Sequence, residues 1–253
     1  YSYRTNRPEL FYMEPYITYR DYYTAEIGNP DIRPEYIHSY ELNYKKNIGE
    51  QVLQSSLFYR SRKDKIERLR VPYEAGVTLD SMANVGNDHA LGMELSGQFI
   101  VNKWWNLNVN GNVYYYKVVN NINAGGKEET STNYDITVNN LLRICKNTRI
   151  QLDGNFVGPS VTTQGRSDSF WFVNLAIRQQ WFGSNLQSTL SFRDIFNSAR
   201  YKNDITTPNL ESITHIRPKF PVITLSISYT FNHFKRSSQN SRDNRDLFEG
   251  VNH

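Results

Sequence analysis

The sequence predicts an all-β fold, an antiparallel transmembrane β-barrel, and three observations support this prediction. Apolar and polar residues alternate with a period of two in many separate segments, as they do in strands that have two different faces. Many of these segments reach the ~9 to 11 residues that a tilted membrane strand needs. Tight turns and long polar stretches alternate between the segments, which is the arrangement found in membrane barrels.

The predicted strands follow one another along almost the whole chain. A clipped strand precedes Pro8, and a second strand begins at Glu35. Nine strands follow the clipped one, and they lie near residues 35–46, 51–66, 86–101, 104–118, 132–145, 148–158, 169–182, 185–198 and 218–231. We therefore expect about ten strands.

The alternation is clearest near residues 104–118 and 218–231. In the first of these strands, Leu107 and Val109 alternate with asparagines, and in the second, Ile227 stands between two serines. One face of each strand is apolar and the other is rich in amides and hydroxyls, which fits lipid outside and a water-filled lumen inside. A soluble β-sandwich is the alternative, but its core would not favour asparagine at every second position.

The connections divide into two kinds, which we assign to the two sides of a membrane. Tight turns are predicted around residues 47–50, 102–103, 146–147 and 183–184, and the long polar connections span residues 9–34, 71–85 and 199–217. In outer-membrane barrels the short turns are periplasmic and the long loops are extracellular.

Aromatic residues cluster beside the tight turns and predict a periplasmic girdle. Amphipathic rings suit the headgroup region, so rings at one height around a sheet mark the membrane interface. The residues assigned to this girdle are Trp104, Trp105, Trp181, Phe182, Tyr229 and Phe231.

The composition agrees with a surface that meets two solvents. The mean hydropathy of the 253 residues is only -0.64, yet 14% are aromatic, with 18 Tyr and 13 Phe, whereas polar disordered chains are poor in aromatics. No apolar run approaches the ~18 to 20 residues of a transmembrane helix. The net charge of +4 is dispersed among 25 acidic residues, so we expect no nucleic-acid partner. The single cysteine, Cys145, is interpreted as a buried or lipid-facing residue.

Several short motifs resemble those of TonB-dependent outer-membrane receptors, in the same order along residues 1–231. The segment 28–35 reads GNPDIRPE and is followed by SYEL, similar to the GNPxLxPE segment and the strand after it in that family. Arg4 to Pro8 resembles the lead-in to this segment, and the GxEL strand and the DIFN of the penultimate strand follow downstream. The motif residues are Gly28, Asn29, Pro30, Pro34, Glu35, Glu41, Gly92, Glu94, Asp194, Phe196 and Asn197.

The motif residues have evident structural roles in the predicted fold. Pro30 and Pro34 prevent strand pairing and set an extended entry into the strand that begins at Glu35. A glycine inside a strand, such as Gly92, marks a bend or close packing. We therefore expect the motifs to shape the barrel and not to carry chemistry.

The resemblance implies a C-terminal barrel portion over residues 1–231 and a polar tail over residues 232–253. Members of the family close ~22 strands around a plug domain, so we expect the plug, its TonB-contacting box and the first half of the barrel to lie outside this sequence. The implied activity is TonB-energised uptake of a scarce nutrient, such as a metal chelate, vitamin, peptide or glycan. The implied partners are outer-membrane lipid, the TonB complex, the barrel assembly machinery and a surface lipoprotein.

No catalytic residue, cofactor or metal site is predicted. Tyr12, Tyr16, Tyr22 and Tyr23 are candidate ligand contacts in the first long loop, although the same rings would equally suit an outer aromatic girdle.

The alternative functions are a passive porin and a small ten-strand barrel similar to the omptin proteases. The protease hypothesis would place Asp88 with His89, and Asp204 with His215, at the extracellular rim.

Overall fold

The computed structural model describes residues 1–120 and 127–231, and about three quarters of these residues lie in β-strands. The strands are β1 (Ser2–Asn6), β2 (Thr18–Asp21), β3 (Thr24–Ile27), β4 (Glu35–Ile48), β5 (Gln51–Glu74), β6 (Val77–Asn102), β7 (Trp105–Asn120), β8 (Lys127–Arg143), β9 (Thr148–Val157), β10 (Ser160–Val161), β11 (Gly165–Ser167), β12 (Phe170–Trp181), β13 (Leu186–Arg193), β14 (Tyr201–Thr207), β15 (Leu210–Ile216) and β16 (Val222–Tyr229). Two 3₁₀ turns, Leu10–Met13 and Phe182–Ser184, complete the elements. Within the described residues, no helix is long and apolar enough to cross a membrane. The tail predicted for residues 232–253 lies outside the described residues.

Ten strands form one antiparallel sheet, which we call the wall, in the order β1-β4-β5-β6-β7-β8-β9-β12-β13-β16. Each wall strand is hydrogen-bonded to the wall strand that follows it in the chain, as the sequence predicted. β1 and β16 stand at the two ends of this order. The four tight turns lie at one end of the wall, at the predicted positions.

One face of the wall is apolar and exposed. Because paired residues share a face, the register places Leu42, Leu57, Met93, Val113 and Tyr134 in a single row across five strands. Most of these side chains are exposed although they are apolar. Such a face is stable in contact with lipid and costly in contact with water, so we call it the outward face.

The outward apolar rows have the height of a membrane. Along β6 they run from Leu91 to Val101, and ten residue steps at ~3.4 Å each give about 34 Å along the strand. With the ~40° tilt of membrane barrel strands, that length corresponds to about 26 Å along the membrane normal, close to the ~25 Å apolar band of outer-membrane barrels.

The opposite, inward face is polar. One representative row contains Asn43, Ser56, Glu94, Asn112 and Asp135. Amides, hydroxyls and carboxylates at every position of a row require water, so this face lines an aqueous lumen.

One polar residue within the apolar band, Asn140, has hydrogen-bond partners for both ends of its amide. Asn140 lies in the same row as Leu107 and Leu152. Its Oδ1 accepts a hydrogen bond from the indole nitrogen of Trp105 at 3.1 Å, and its Nδ2 donates to the carbonyl of Leu152 at 3.3 Å. Both the oxygen and the nitrogen of the amide therefore have a protein partner within the band.

The long connections contain more structure than the sequence analysis expected. β5 continues to Glu74 and β6 begins at Val77, so residues 71–85 form strands and a tight turn, not a polar loop. The prediction was wrong because the alternation of apolar and polar residues is interrupted where the register of β5 and β6 shifts between Arg62 and Lys65. Asp64 adopts a positive φ of 55° there, and Gly86 opposite adopts 139°.

The other two long connections are also partly folded. Residues 199–217 form the hairpin of β14 and β15, which joins β10 and β11 in a separate four-stranded sheet. Residues 9–34 contain the first 3₁₀ turn, β2 and β3, and β3 pairs in parallel with β6. We call β2, β3 and the parts of β5 and β6 beyond the register shift the flap.

The prediction that Cys145 is buried or lipid-facing was wrong. The residue is exposed in the turn between β8 and β9. Its Sγ donates to Thr148 Oγ1 at 3.0 Å. The apolar alternation of β8 ends at Leu142, so the cysteine falls outside the pattern from which its burial was inferred.

Replacing Leu95, in the middle of the outward band, by Arg is expected to destabilise the folded wall by about 2 to 4 kcal/mol, because a cation at the bilayer midplane loses its hydration. The adjacent Ser96 faces the lumen, so Ser96→Arg provides a matched control with little expected effect. Urea unfolding in lipid vesicles measures both changes, and equal losses for the two variants would contradict the assignment of faces.

Candidate functional site

The candidate functional site is a cavity of about 50 Å³ at the base of the flap. Aromatic side chains of the segment before β2 form one side, and charged side chains of β3, β5 and β6 form the other. The lining includes Phe11, Tyr12, Tyr16, Glu26, Arg68, Asp80 and Met82. Two of the four predicted ligand tyrosines, Tyr12 and Tyr16, therefore border the cavity.

Tyr22 and Tyr23 lie outside this cavity, at the tip of the β2–β3 hairpin. They are 92% and 71% exposed, and Asp21 Oδ1 accepts a hydrogen bond from the backbone N–H of Tyr23. All four tyrosines belong to the loop and flap, whereas Tyr40, Tyr59 and Tyr115 occupy the outward face of the wall at its extracellular boundary.

Asp80 is the electrostatic centre of the flap. Its carboxylate is almost fully buried and receives two hydrogen bonds from the Arg70 guanidinium, at 2.6 and 2.8 Å. Arg68 and Arg20 lie within 3.5 and 4.0 Å of the same carboxylate and also pair with Glu26. Two carboxylates and three guanidinium groups thus tie β2, β3, β5 and β6 together beside the cavity.

The arginines keep Asp80 ionised. Burial alone would raise the pKa of this carboxyl, but the hydrogen bond from Arg70 and the charges of Arg70, Arg68 and Arg20 outweigh burial and lower the pKa below its ordinary value. The same interaction raises the pKa of Arg70.

Glu35, the last residue of the GNPDIRPE motif, holds the register shift of β5 in place. One carboxylate oxygen accepts hydrogen bonds from the backbone N–H of Ile66 at 2.7 Å and from Arg62 at 3.3 Å. The other accepts from the Asn6 amide at 2.7 Å. A buried carboxylate with three donors is well compensated, and it joins β1, β4 and β5.

A second ionic group lies beside Glu35 on the inward side of the wall. Lys65 Nζ donates to the Tyr116 hydroxyl at 2.7 Å, and that hydroxyl donates to Asp88 Oδ2 at 2.9 Å. Lys65 also pairs with Glu67 at 3.0 Å. These contacts connect β5, β6 and β7 where the flap leaves the wall.

The first half of the motif attaches the loop to β6. Asn29 Nδ2 donates to the carbonyl of Met82 at 3.1 Å, and Asn84 receives the N–H of Arg33 and donates to its carbonyl. Gly28 packs directly on the backbone of Glu14, where a Cβ would lie 2.3 Å from the carbonyl oxygen. Pro30 and Pro34 flank these attachments, and the motif fastens the loop that carries the aromatic side of the cavity.

The other motif residues lie in the wall and at its rim. Glu41 and Glu94 face the lumen, and Ser39 donates to Glu41 at 2.9 Å. A Cβ at Gly92 would lie 2.3 Å from the Cβ of Tyr114 on the neighbouring strand.

The DIFN motif ends β13 with a turn. Asp194 accepts from the N–H groups of Ser198 and Ala199 at 2.9 and 3.0 Å, and Asn197 adopts a positive φ of 53°. Phe196 packs against Trp171 in a tilted arrangement, with ring centroids 5.8 Å apart.

The loop between β10 and β11 contacts the flap. The Gln164 side chain accepts the N–H of Arg70 at 2.9 Å and donates to the carbonyl of Arg70 at 3.1 Å, as a neighbouring strand would. The N–H of Thr163 donates to Glu67, and its carbonyl accepts from Asn120 on the inward face of β7. Residues 163–164, which we call the strap, therefore join the four-stranded sheet to the flap.

Asp80, Arg70 and Gln164 were not predicted as site residues from the sequence. The concentration of cations between Arg60 and Arg70 was the available signal, since so many like charges require carboxylates nearby. The carboxylates that pair with these cations could not be identified from the sequence, because the register shift between Arg62 and Ile66 changes which residues share a face.

The predicted girdle residues lie at the end of the wall that carries the tight turns. Trp181 and Tyr229 are in one outward row through Leu186, and Trp104 stacks on Trp105 with centroids 6.1 Å apart. Phe182 and Phe231 are 77% and 91% exposed beside them.

The protease constellation is not assembled. Asp88 points inward and contacts Arg62, Lys65 and Tyr116, whereas His89 points outward to Tyr59. Asp204 is paired with Lys202 at 2.6 Å. In the described residues no three His, Cys, Asp or Glu side chains come together as a metal-binding group.

The apolar outward band, the polar inward face and the alternation of turns and long connections define a bacterial outer-membrane β-barrel. Residues 1–229 match the sequence profile of the Outer membrane protein beta-barrel family, and the chain belongs to this family. Its location is the outer membrane, with the long connections extracellular and the tight turns periplasmic.

Solved structures with a similar fold include two variants of the ferric enterobactin receptor of Pseudomonas aeruginosa. Both are 14% identical to this chain, with TM-scores of 0.50 and 0.52, and the second is in complex with enterobactin. Each comparison covers 78% of this chain but only 32% of the receptor, so the chain spans about a third of the length of these proteins. No curated protein sequence matches the chain.

Replacing Asp80 by Asn is expected to loosen the flap by about 2 kcal/mol, because three guanidinium groups lose their shared counter-charge, although two of them are partly solvated. Limited proteolysis at residues 64–86 should become about 30-fold faster if cleavage follows the open population. The lowered pKa of Asp80 means that its contribution is complete above about pH 4 and disappears as the pH falls through the folded value. If Asp80→Asn is cleaved at the wild-type rate and its flap still loosens in acid, Asp80 is not the electrostatic centre of the flap.

Gly28→Ala is expected to release the loop from β6, because the added Cβ would meet the backbone of Glu14. Gly154→Ala is the matched control, since no atom lies within 4 Å of the position of its Cβ. Hydrogen exchange at the N–H of Arg33, which donates to Asn84 of β6, should accelerate in the first variant only. Unchanged protection there would contradict the attachment.

Proposed function

We propose that this chain is the C-terminal part of a TonB-dependent receptor that takes up a scarce nutrient across the outer membrane. The observation that carries the proposal is the folded extracellular flap with its aromatic and charged cavity. A passive pore needs an open lumen, whereas a high-affinity receptor needs a shaped extracellular surface that contacts its ligand before import.

The chemistry of the cavity supports a ligand with a ring and an anionic or hydroxylated group. Phe11, Tyr12 and Tyr16 offer aromatic faces for a planar or sugar ring. Arg68 lines the cavity with a side chain that is 42% exposed, and Arg20, whose side chain is 48% exposed, pairs with the same Glu26. The cavity of about 50 Å³ is too small to enclose a ring, so a metal chelate, vitamin, peptide or glycan would contact its aromatic and charged rim.

The remaining features of the proposal rest on the resemblance of the motifs and on the receptor fold. The ten strands are part of a barrel of ~22 strands, whose plug receives energy from the TonB complex. The barrel assembly machinery inserts the protein into outer-membrane lipid, and a surface lipoprotein is a further partner. The protein catalyses no reaction and uses no cofactor.

Energy dependence tests the proposal against a passive porin. Cells that express the full-length protein, and cells that lack it, are given radiolabelled ferric enterobactin, cobalamin, a tripeptide and a maltooligosaccharide as separate probes. We expect protein-dependent accumulation of at least one probe, which stops when tonB is deleted or a protonophore is added. Accumulation that persists without TonB would support a porin and overturn the proposal.

For the probe that is accumulated, Tyr16→Ala is expected to weaken binding to whole cells about tenfold, because a ring that packs on the ligand is lost. Tyr22→Ala is the matched control, since Tyr22 lies at the exposed hairpin tip outside the cavity. Equilibrium binding at low temperature measures both variants. An equal effect of the two substitutions would exclude the cavity as the contact site.

A further inference from the structure

A patch on the outward face of the wall combines tyrosines with imidazole and ammonium groups at the extracellular boundary of the apolar band. His38, Ser61, His89 and Lys117 lie in one row across β4, β5, β6 and β7. Tyr36 and Lys63 pair in the row above it. We call the set His38, Lys63, His89 and Lys117 the boundary patch.

The rows below the boundary patch place it at the level of lipid headgroups. The next row towards the periplasm contains Tyr40, Tyr59, Leu91 and Tyr115, and the row after that is aliphatic. Aliphatic side chains, then tyrosines, then cations is the order in which the acyl region, the interface and the charged headgroups follow one another.

Both histidines are oriented by a tyrosine. The hydroxyl of Tyr1 lies 2.9 Å from Nδ1 of His38, and the hydroxyl of Tyr59 lies 3.1 Å from Nδ1 of His89. With Nδ1 engaged, the other ring nitrogen Nε2 is the one left to bind a group outside the protein. Neither Nε2 is bonded within the described residues, and both side chains are partly exposed.

The ammonium groups are also accessible. Lys63 is exposed and makes no ion pair in the described part of the chain. Lys117 pairs with Glu128 at 2.8 Å, but the two side chains are 34% and 56% exposed. Among the described residues Glu128 is the carboxylate that pairs with the patch, and Asp64 beside Lys63 is neutralised by Arg33, so the patch carries net positive charge.

The spacing suits a phosphate. Residues paired on neighbouring strands are ~5 Å apart, so one phosphate group reaches both His89 and Lys117. The row from His38 to Lys117 crosses three strand intervals, about 15 Å in all, which matches a headgroup with more than one anionic site. A small soluble anion would gain no advantage from the tyrosines and the apolar rows beneath.

We infer that the boundary patch binds the phosphorylated headgroup of an outer-leaflet glycolipid. The acyl chains lie on the aliphatic rows, and the phosphate is held by Lys117, His89 and Lys63. This site is on the lipid side of the wall, opposite the lumen and separate from the proposed nutrient cavity, so it does not depend on the uptake function.

The test uses the full-length protein purified in detergent and titrated with diphosphorylated lipid A or with its phosphate-free form. Native mass spectrometry counts the bound lipid. Lys63→Gln with Lys117→Gln is expected to reduce the affinity for the phosphorylated lipid about 25-fold, about fivefold for each cation near an anionic lipid. Lys45→Gln with Lys103→Gln removes the same charge from the lumenal face and a periplasmic turn, and should leave the affinity unchanged.

A second variant gives the opposite sign and cannot be confused with misfolding. Glu128→Gln frees Lys117 from its carboxylate, so the affinity for the phosphorylated lipid should rise severalfold. Equal binding of the phosphorylated and phosphate-free lipids, equal effects of the two double variants, or no gain in Glu128→Gln would each overturn the inference.

Discussion

The wall depends on one constraint: a backbone that crosses lipid finds no water, so each N–H and C=O needs a partner on a neighbouring strand. Because side chains alternate, the pairing also decides which residues meet lipid, and a slip of one residue would exchange the two faces. In the described wall strands the register shifts occur only between Arg62 and Ile66, between Pro72 and Glu74, and between Ile100 and Asn102. All of these positions lie at or beyond the edges of the apolar band, so the band itself is continuous.

Beyond the band the constraint is met in a different way. Side chains there take the place of a neighbouring strand: Gln164 pairs with both backbone groups of Arg70, Asn84 with both of Arg33, and Glu35 receives the N–H of Ile66. Water is available on the extracellular side, so ion pairs such as Arg20 with Glu26 can remain partly solvated and still hold the strands. The flap is therefore a polar assembly built on an apolar wall, and the cavity lies in the polar part.

The sequence predicted the wall well because a membrane enforces the period of two on every strand. Ile227 between two serines and Leu107 between two asparagines are direct records of lipid on one side and water on the other. The flap lies outside the membrane, so lipid does not impose this alternation on its residues. The residues around Asp64 and Gly86 break the period with positive φ angles, and the cavity then combines residues from segments far apart in the chain. Tyr12 and Tyr16 could be proposed from the sequence as loop aromatics, but Asp80 could not, since its role depends on Arg20 and Arg70 reaching it from other strands.

The parallel pairing of β3 with β6 has a consequence for the order in which the extracellular surface forms. The backbone N–H of Thr78 binds the carbonyl of Tyr23, and Asn29 binds Met82 across 53 residues. β2 and β3 pair with each other locally, but this first extracellular segment cannot complete its contacts until β4, β5 and the start of β6 have formed. The strap arrives later still, because Gln164 and Arg70 are 94 residues apart, and such distant contacts are slow to form. The transmembrane strands pair with their neighbours in sequence, so we expect them to form before these distant contacts complete the extracellular surface.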